Sequence, residues 1–423
     1  MKIFYLLLVA LIVPICLFSQ QIFGCTDTLA YNFNPNATDN NGTCSYSTTT
    51  IVPITSVQLP LVMQETSGLI FFDDFLLTHN DDIDTNLYLF DVTNPTNFTT
   101  IPIPNVQNID WEEISEDEEF IYIGDFGNNA SGNRTNLRIY RIKKDELQSN
   151  PIIDTISFSY DLQTDFSAQP GNSTNFDCEA FIVTENKIYL FTKEWITKKT
   201  SVYELDKNPG NHIAVFKEVF DVQGLITGAT CFEDKKLIVL TGYTQILQPF
   251  IYLLYDYNQT DFFSGNKRKL NLNMMFHQVE GIASKDGLNY YISNERFVNA
   301  QINVLIEQQL HHLDLTNYLY RYLSRDSITQ LSVSNNFMNH FDIQLFPNPT
   351  TSSLTIDIPE QLDVNELNLQ IVDNLGRYVS EIQLTNNISE IDLQAIIRDK
   401  GIYQLIILDN NGVILQTKRF FYQ

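Results

Sequence analysis

Basic residues are scarce in this 423-residue chain: Lys and Arg total 26 against 51 Asp and Glu, a formal net charge of −25. Such a charge repels nucleic acid phosphates and anionic membrane surfaces, so we expect neither nucleic acid nor an anionic membrane as a partner. The motifs G-x-x-x-x-G-K, G-x-G-x-x-G, G-x-S-x-G and H-E-x-x-H are also absent from the sequence. P-loop, dinucleotide-binding, common serine-hydrolase and zincin chemistries therefore have no support.

Glycine (17) and proline (14) are few, whereas Tyr (21) and Phe (29) are abundant. Aromatic residues favour strands, so the composition predicts a mainly β protein. The hydrophobic fraction of 43% is sufficient for packed cores, and the length implies two or three domains.

Long apolar runs are missing except at the N-terminus, where Lys2 precedes an apolar run from Ile3 to Phe18. This run is shorter than the ~20 residues that span a bilayer and is typical of a secretory signal. Residues 1–20 are therefore predicted to be a signal peptide, and no further membrane span is expected.

Cysteine is also rare, with five residues in all. Cys25 and Cys44 bracket an Asn-rich segment, residues 21–48, that has almost no aliphatic core of its own. In an exported chain we predict a Cys25–Cys44 disulfide, contributing about 3 kcal/mol. The segment Gly-Cys-Thr-Asp…Tyr-Asn-Phe-Asn-Pro-Asn-Ala…Gly-Thr-Cys resembles short repeats of secreted bacterial surface proteins. Cys178 and Cys231 are equally compatible with free thiols and with a second disulfide.

Residues 341–423 contain short, regularly spaced strand patterns, which indicate a small immunoglobulin-like β-sandwich. A Pro-Asn-Pro turn (347–349), an Asp-x-x-Gly-Arg turn (373–377), a Gly-Ile-Tyr strand start (401–403) and a basic-aromatic ending (418–420) follow one another. This region resembles the type A C-terminal sorting domain of the type IX secretion system. The resemblance implies interaction with that secretion machinery and export across the outer membrane of a Gram-negative cell, so that the protein is secreted or surface-located.

Between residues 52 and 335 one short phrase opens a β segment five times, at intervals of 45 to 67 residues. The five phrases are Ser67-Gly68-Leu69, Glu112-Glu113-Ile114, Glu179-Ala180-Phe181, Thr227-Gly228-Ala229 and Glu280-Gly281-Ile282. Repeats of this length with several strands each predict a five-bladed β-propeller. A strand from Ser56 to Pro60 would complete the last blade. Six blades are the alternative if Tyr318 to Val333 forms a degenerate one.

The first residue of each phrase is expected to face the propeller axis, which gives a ring of Ser67, Glu112, Glu179, Thr227 and Glu280. Three converging carboxylates repel one another by roughly 4 kcal/mol per pair at 4 Å in a surface-like dielectric. Protonation or a hard cation would relieve this repulsion. The ring resembles the axial calcium site of the calcium-activated nucleotidases (apyrases), which are five-bladed propellers, and this implies Ca²⁺ at the axis. The alternative is that the phrases only hold neighbouring blades together through hydrogen bonds.

The loops after the second strand of each blade are predicted to open on one face, where propellers usually bind ligands. The candidate ligand-binding residues in these loops are Asn80, Asp81, Asp125, Asn128, Lys193, Tyr243, Asn294 and Arg296. Asp125, Glu194 and Glu295 are the candidate acid and base residues. The alternative is that these residues form turns and that Lys193 and Glu194 make a solvated loop tip.

Two functions follow from these patterns. The first, which we favour because no catalytic set is recognisable, is a surface protein that binds a glycan, peptide or protein ligand at the axial mouth. The second is a calcium-dependent hydrolase of phosphate esters, nucleotides or glycans.

Overall fold

The computed structural model describes residues 21–149, 151–324, 343–359, 364, 367–373, 377–384, 386–409 and 414–423. The predicted signal peptide lies outside the described residues. The chain divides into two compact units, residues 1–324 and residues 325–423. In the described residues no helix is both long enough and apolar enough to cross a membrane.

The first unit consists of four-stranded antiparallel meanders preceded by four short strands. The short strands are β1 (Phe23–Gly24), β2 (Asp39–Asn40), β3 (Thr49–Ile51) and β4 (Thr55–Gln58). The first meander comprises β5 (Thr66–Phe72), β6 (Phe75–Asn80), β7 (Asn86–Asp91) and β8 (Asn94–Pro102), and the second comprises β9 (Trp111–Glu116), β10 (Phe120–Asp125), β11 (Arg138–Lys143) and β12 (Ile153–Tyr160).

The next two meanders follow the same order. The third comprises β13 (Cys178–Val183), β14 (Lys187–Thr192), β15 (Thr200–Asp206) and β16 (Gly210–Phe220), and the fourth comprises β17 (Leu225–Phe232), β18 (Leu237–Tyr243), β19 (Pro249–Tyr255) and β20 (Asn266–Leu272). The chain then forms β21 (Val279–Ser284), β22 (Asn289–Asn294), an inserted hairpin of β23 (Phe297–Asn299) and β24 (Val304–Ile306), β25 (Gln309–Asp314) and helix α1 (Thr316–Leu323).

The fifth meander is completed by the start of the chain, because β4 pairs antiparallel with β25 in the order β21-β22-β25-β4. The outer strand predicted from Ser56 to Pro60 is thus present. The innermost strands β5, β9, β13, β17 and β21 lie side by side in succession, and β21 lies next to β5. This arrangement is propeller-like and leaves few exposed sheet edges.

Two pairings were not expected from the sequence. Strand β3 adds to the fourth meander in parallel with β20, and β12 pairs in parallel with β16, which joins the second and third meanders into one eight-stranded sheet. The sixth-blade alternative needs a strand from Tyr318, but Tyr318 lies inside α1. The remainder of that stretch, from residue 325, is outside the described part of the chain.

The core of the first unit lies between successive meanders. Ile70 and Leu77 of the first meander pack with Trp111 and Ile121 of the second. Equivalent apolar clusters lie between the second and third, the third and fourth, and the fourth and fifth meanders. A fifth cluster joins the last meander back to the first. Successive side chains of a strand point to opposite faces, so each sheet contributes apolar side chains to the layers on both sides of it. These layers hold the meanders together.

The N-terminal segment carries the predicted disulfide between Cys25 and Cys44, with a Cα–Cα distance of 4.8 Å. It packs against the fourth meander, where Asp27 accepts hydrogen bonds from Tyr255 (2.5 Å) and Tyr46 (2.8 Å). Cys178 and Cys231 are free thiols. The segment is thus fixed to the sheet by a crosslinked loop and buried phenol–carboxylate contacts.

The second unit has two sheets that enclose one apolar core. Its strands are β26 (Gln344–Phe346), β27 (Ser353–Asp357), β28 (Leu367–Asp373), β29 (Tyr378–Ile382), β30 (Ile388–Asp392), β31 (Gly401–Asp409) and β32 (Ile414–Tyr422). One sheet has the order β26-β27-β30 and the other β29-β28-β31-β32, which confirms the predicted sandwich. The turn residues 374–376 and 410–412 lie outside the described residues.

Candidate functional site

Each predicted ring residue lies where the pairing of the first two strands of its meander shifts register. In β9, for example, Glu113 pairs with Gly124 and Trp111 pairs with Asp125, so Glu112 has no direct partner. The same irregularity includes Ser67, Glu179, Thr227 and Glu280 in the other four meanders. All five residues are buried. A bulge turns the side chain of the extra residue, which explains how these polar side chains leave the apolar layers between the sheets.

Four of the five ring residues line one cavity of about 170 Å³. The complete lining is Glu65, Thr66, Ser67, Asp81, Glu112, Asn129, Asn172, Glu179, Lys193, Trp195, Tyr243, Gln278, Glu280 and Glu295. Thr227 is the ring residue that is not in this lining. The lining is mostly polar and contains six carboxylate side chains and one lysine.

The two ring hydroxyls join neighbouring meanders. Ser67 Oγ donates to the carbonyl oxygen of Glu112, and Thr227 Oγ1 donates to the carbonyl oxygen of Val279, both at 2.5 Å. Close strand approach also explains Gly228, because a Cβ there would lie 2.1 Å from the carbonyl oxygen of Glu280. For Ser67 and Thr227, the alternative that the phrases hold neighbouring blades together through hydrogen bonds therefore applies.

Glu113, the neighbour of ring residue Glu112, has a related structural role. It is fully buried, and its carboxylate accepts hydrogen bonds from the backbone N–H groups of Ile114 (3.0 Å) and Ala229 (2.8 Å). The second of these contacts joins the second meander to the fourth. Burial raises the pKa of Glu113 well above its ordinary value, although the backbone hydrogen bonds oppose the shift.

A buried ion pair lies on the cavity wall. Lys193 Nζ is 2.5 Å from Glu179 Oε2, and the ammonium lies 5.0 and 5.2 Å from the ring centres of Trp195 and Tyr243. Burial alone would lower the pKa of Lys193, but Glu179 and Tyr243 raise it well above its usual value. The amine is therefore protonated and neutralises one carboxylate.

Burial and the charges of neighbouring carboxylates raise the pKa values of other carboxyl groups in and beside the cavity. Burial, followed by the charges of Glu179 and Asp81, raises the pKa of Glu112 well above its ordinary value. Burial also raises the pKa of Asp110 to about 6 and that of Glu280 to about 8. These shifts favour protonation, which is one of the two predicted ways of relieving the repulsion.

Several buried carboxylate oxygens have no hydrogen-bond partner in the described residues. Four of them, Glu65 Oε2, Asp81 Oδ1, Glu179 Oε1 and Glu280 Oε2, belong to residues that line the cavity. The fifth, Asp125 Oδ2, lies outside the lining and 3.2 Å from Arg138 Nε. Two sets of three carboxylates have ligand oxygens within 4.8 Å of one another: Asp81 with Asp110 and Glu112, and Glu112 with Asp177 and Glu179. Oxygen-rich groups of this kind suit hard divalent cations.

Sequence reasoning missed a second tier of polar residues two positions before the ring. Glu65 and Gln278 line the cavity, and Asp110 and Asp177 belong to the carboxylate groups. Residues two apart in a strand face the same side. A polar residue two positions before the ring residue recurs in four of the five phrases, and this pattern was the signal that could have indicated the second tier.

The candidate ligand-binding residues divide into two sets. Asp81, Lys193 and Tyr243 line the cavity. The other five are engaged in contacts within the protein. The three asparagines donate hydrogen bonds to backbone carbonyl groups: Asn80 to Val62, Asn128 to Phe176 and Asn294 to Glu307. The two charged residues form ion pairs, Arg296 with Glu307 and Asp125 with Arg134 and Arg138.

Among the acid and base candidates, only Glu295 lines the cavity. Asp125 is fully buried, 2.8 Å from Arg134 and 3.2 Å from Arg138. Glu194 accepts hydrogen bonds from Ser201 and Thr197. The expectation of a solvated tip at Lys193 and Glu194 is wrong, because both residues are buried.

Residues 344–421 match the family model described as a secretion system C-terminal sorting domain. The second unit is therefore a sorting domain of the type IX secretion system, and it directs this protein through that machinery to the cell surface or the extracellular space. None of the curated proteins matches the sequence.

Solved structures resemble the chain only distantly. PorZ, a bacterial surface component of the type IX secretion system of Porphyromonas gingivalis, is 12% identical with a TM-score of 0.31; the match covers 85% of this chain and 45% of PorZ. A chain of the mitotic checkpoint complex is 11% identical (TM-score 0.34, 62% of this chain and 95% of that one). The extracellular domain of the putative one-component system BT4673 from B. thetaiotaomicron is 11% identical with a TM-score of 0.29; the match covers 88% of this chain and 59% of that one. At these TM-scores the similarities carry no functional argument.

Proposed function

We propose that this exported protein binds a peptide, protein or glycan ligand at the mouth of the central cavity, with calcium bound among the cavity carboxylates. The observation that carries the proposal is the convergence of buried, unpartnered carboxylate oxygens from different meanders on one cavity. Structural burial alone does not explain them, since an unpaired buried carboxylate is costly and polar cores are normally satisfied.

The chemistry of the lining favours a ligand that donates hydrogen bonds. Glu65, Glu280 and Glu295 offer acceptors, whereas Lys193 is the sole cation of the lining. Ammonium, guanidinium and sugar hydroxyl groups match such a surface, and a free phosphate or carboxylate does not.

Loops next to the cavity residues carry exposed apolar side chains, which favours a polypeptide among these ligands. Ile83, Ile196, Ile246 and Val298 are 49 to 69% exposed and lie within three residues of cavity-lining residues in four different meanders. Exposed apolar side chains close to a polar cavity are available for contact with a polypeptide ligand.

The proposal is tested with the secreted chain, residues 21–423, immobilised and probed with a random peptide library and an oligosaccharide array in calcium buffer. Bound probes are then measured against Glu65→Gln/Glu295→Gln and against Glu381→Gln, an exposed control in the second unit. We expect about tenfold weaker binding for the cavity variant and no change for the control. Binding that both variants retain equally would place the ligand site elsewhere.

A calcium-dependent hydrolase is the second candidate, and one observation favours it. Burial raises the pKa of both Asp81 and Asp110, and the charge of Asp110 raises that of Asp81 further. A carboxyl with a raised pKa is suited to act as a general acid. Nucleoside di- and triphosphates, phytate, nitrophenyl esters and glycosides, assayed with and without calcium, test this function. Turnover abolished in Asp81→Asn would establish it, and no turnover on any substrate would exclude it for these classes.

A further inference from the structure

We propose that a divalent, oxygen-preferring cation such as Ca²⁺ binds to Asp81, Asp110 and the ring residue Glu112 on the loop side of the ring, and not at the centre of the five ring residues. This inference deepens the proposed function, because it places the cation within the same cavity wall. It also assigns metal binding to two residues, Asp81 and Asp110, that the ring does not include.

The three carboxylates are brought together by two neighbouring meanders. Asp81 directly follows β6, Glu112 lies in the bulge of β9, and Asp110 directly precedes β9. One oxygen of each lies within 4.8 Å of those of the other two. Oxygens at this spacing are able to contact a single ion at the 2.3–2.6 Å typical of calcium.

The side chains of this trio lack the partners that would satisfy them. Glu112 is 5% exposed and lines the cavity. Asp81 Oδ1 is buried and has no hydrogen-bond partner in the described part of the chain. A cation is the group that would satisfy both at once.

The backbone beside the trio leaves room for the carboxylates. A Cβ at Gly127 would lie 2.2 Å from Glu112 Oε1 and 2.4 Å from Asp110 Oδ2. Only a residue without a side chain permits this approach, so Gly127 is part of the built site.

Most other acceptors near the axis are already engaged, although Glu179 Oε1 and Glu280 Oε2 have no hydrogen-bond partner in the described residues. Ser67 and Thr227 donate to backbone carbonyls, and Glu179 pairs with Lys193. Asp177 accepts from the Asn128 N–H (2.6 Å) and the Trp195 indole (2.7 Å).

The negative charge of Asp81, Asp110 and Glu112 is neutralised less completely than that of Glu179, which pairs with Lys193. Arg134 is the nearest cation of this trio, with Nη1 4.0 Å from Asp110 Oδ2. In their ionised form, three carboxylates beside one guanidinium, which also pairs with Asp125, carry an excess negative charge that a divalent ion would balance.

The two tryptophans of the chain supply a direct readout. Trp111 stands between Asp110 and Glu112 in the sequence, and Trp195 contacts Asp177. Tb³⁺ bound at the trio should therefore show luminescence sensitised by tryptophan, and Ca²⁺ should displace it. The titration uses the secreted chain, residues 21–423, and requires no ligand, so its outcome is independent of the ligand-binding assay.

We expect saturable Tb³⁺ luminescence with affinity lowered at least tenfold in Asp110→Asn and in Asp81→Asn. Gly127→Ala should also weaken binding, whereas Gly171→Ala, where a Cβ meets only backbone oxygens at 3.7 Å or more, should not. The circular dichroism spectrum of each variant shows whether it is folded. If one aspartate variant fails to fold, the other aspartate variant and Gly127→Ala decide the question.

Glu280→Gln separates the two cation positions, because Glu280 belongs to the ring and not to the trio. A loss of affinity in Glu280→Gln with wild-type affinity in both aspartate variants would put the ion on the axis and overturn this inference while leaving the proposed function intact. Absence of any Tb³⁺ or Ca²⁺ binding would overturn it as well, and ligand binding that persists in chelator would then show that the mouth functions without metal.

Discussion

Replacing Glu280 by Gln should make the stability of this protein less sensitive to pH. The Glu280 side chain is buried in the cavity wall, and burial raises its pKa from 4.5 to about 8, with Lys193 opposing the shift and Glu295 adding to it. In the unfolded chain the carboxyl has its ordinary pKa. Between pH 4.5 and pH 8 the unfolded state therefore releases a proton that the folded state keeps, so stability is fully present below pH 4.5 and falls as the pH rises.

The magnitude follows from the two pKa values. A shift of one unit corresponds to about 1.4 kcal/mol, so this carboxyl alone should cost the wild type about 4 kcal/mol of unfolding free energy between pH 4.5 and pH 8. A glutamine of nearly the same shape does not titrate. We therefore expect Glu280→Gln to be similar to the wild type at pH 4.5 and more stable by about 4 kcal/mol at pH 8.

The assay is urea denaturation of residues 21–423 in chelator at pH 4.5, 6 and 8, with Glu381→Gln as a surface control. Chelator is required because a bound cation would favour the ionised carboxylates and mask the effect. A stability difference between Glu280→Gln and wild type that is the same at all three pH values would refute the reasoning. It would show that the folded protein does not hold this carboxyl in its neutral form.

Three further predictions concern other parts of the molecule. Lys193→Met should lower the free energy of unfolding by about 3–5 kcal/mol because it leaves a buried carboxylate unpaired. Lys143→Met breaks an exposed ion pair and should lower it by less than about 1 kcal/mol. Equal losses of the two variants in urea denaturation would contradict this prediction. The double variant Cys25→Ser/Cys44→Ser should open the N-terminal segment, at a cost of about 3 kcal/mol, and limited proteolysis should cut this segment first; unchanged cleavage would count against the stapling role. A chain without residues 344–421 should fail to reach the cell surface or medium on fractionation, and normal export would show that sorting information lies elsewhere.

The repeated phrase at the innermost strand of each meander was recognisable because its signal is local. Each phrase combines a polar residue with a small or acidic one and an apolar one, and the structure places each polar member in a bulge of an innermost strand. The sorting domain was predictable for a similar reason, since its turns and strand starts are short motifs. In both cases neighbours in sequence determine the local structure.

The ion pair of Lys193 was not predictable in the same way. The sequence Thr-Lys-Glu-Trp is typical of an exposed turn, and nothing within it indicates that Lys193 meets Glu179, fourteen residues earlier, inside a cavity. The parallel pairing of β3 with β20 is a longer-range case, because over 200 residues separate the two strands. Contacts of this kind depend on how the meanders close on one another, which strand periodicity does not specify.

The five ring positions are equivalent in sequence but have different tasks. The hydroxyls of Ser67 and Thr227 join the meanders, Glu179 holds a lysine, and Glu112 and Glu280 leave carboxylate oxygens directed at the cavity. The cavity charge is thus set by three competing cations: protons, the Lys193 ammonium and, as we propose, a divalent ion. Because protons and divalent ions compete for the same oxygens, acidification should release the ion. Ligand binding at this mouth should accordingly follow both the pH and the calcium concentration outside the cell.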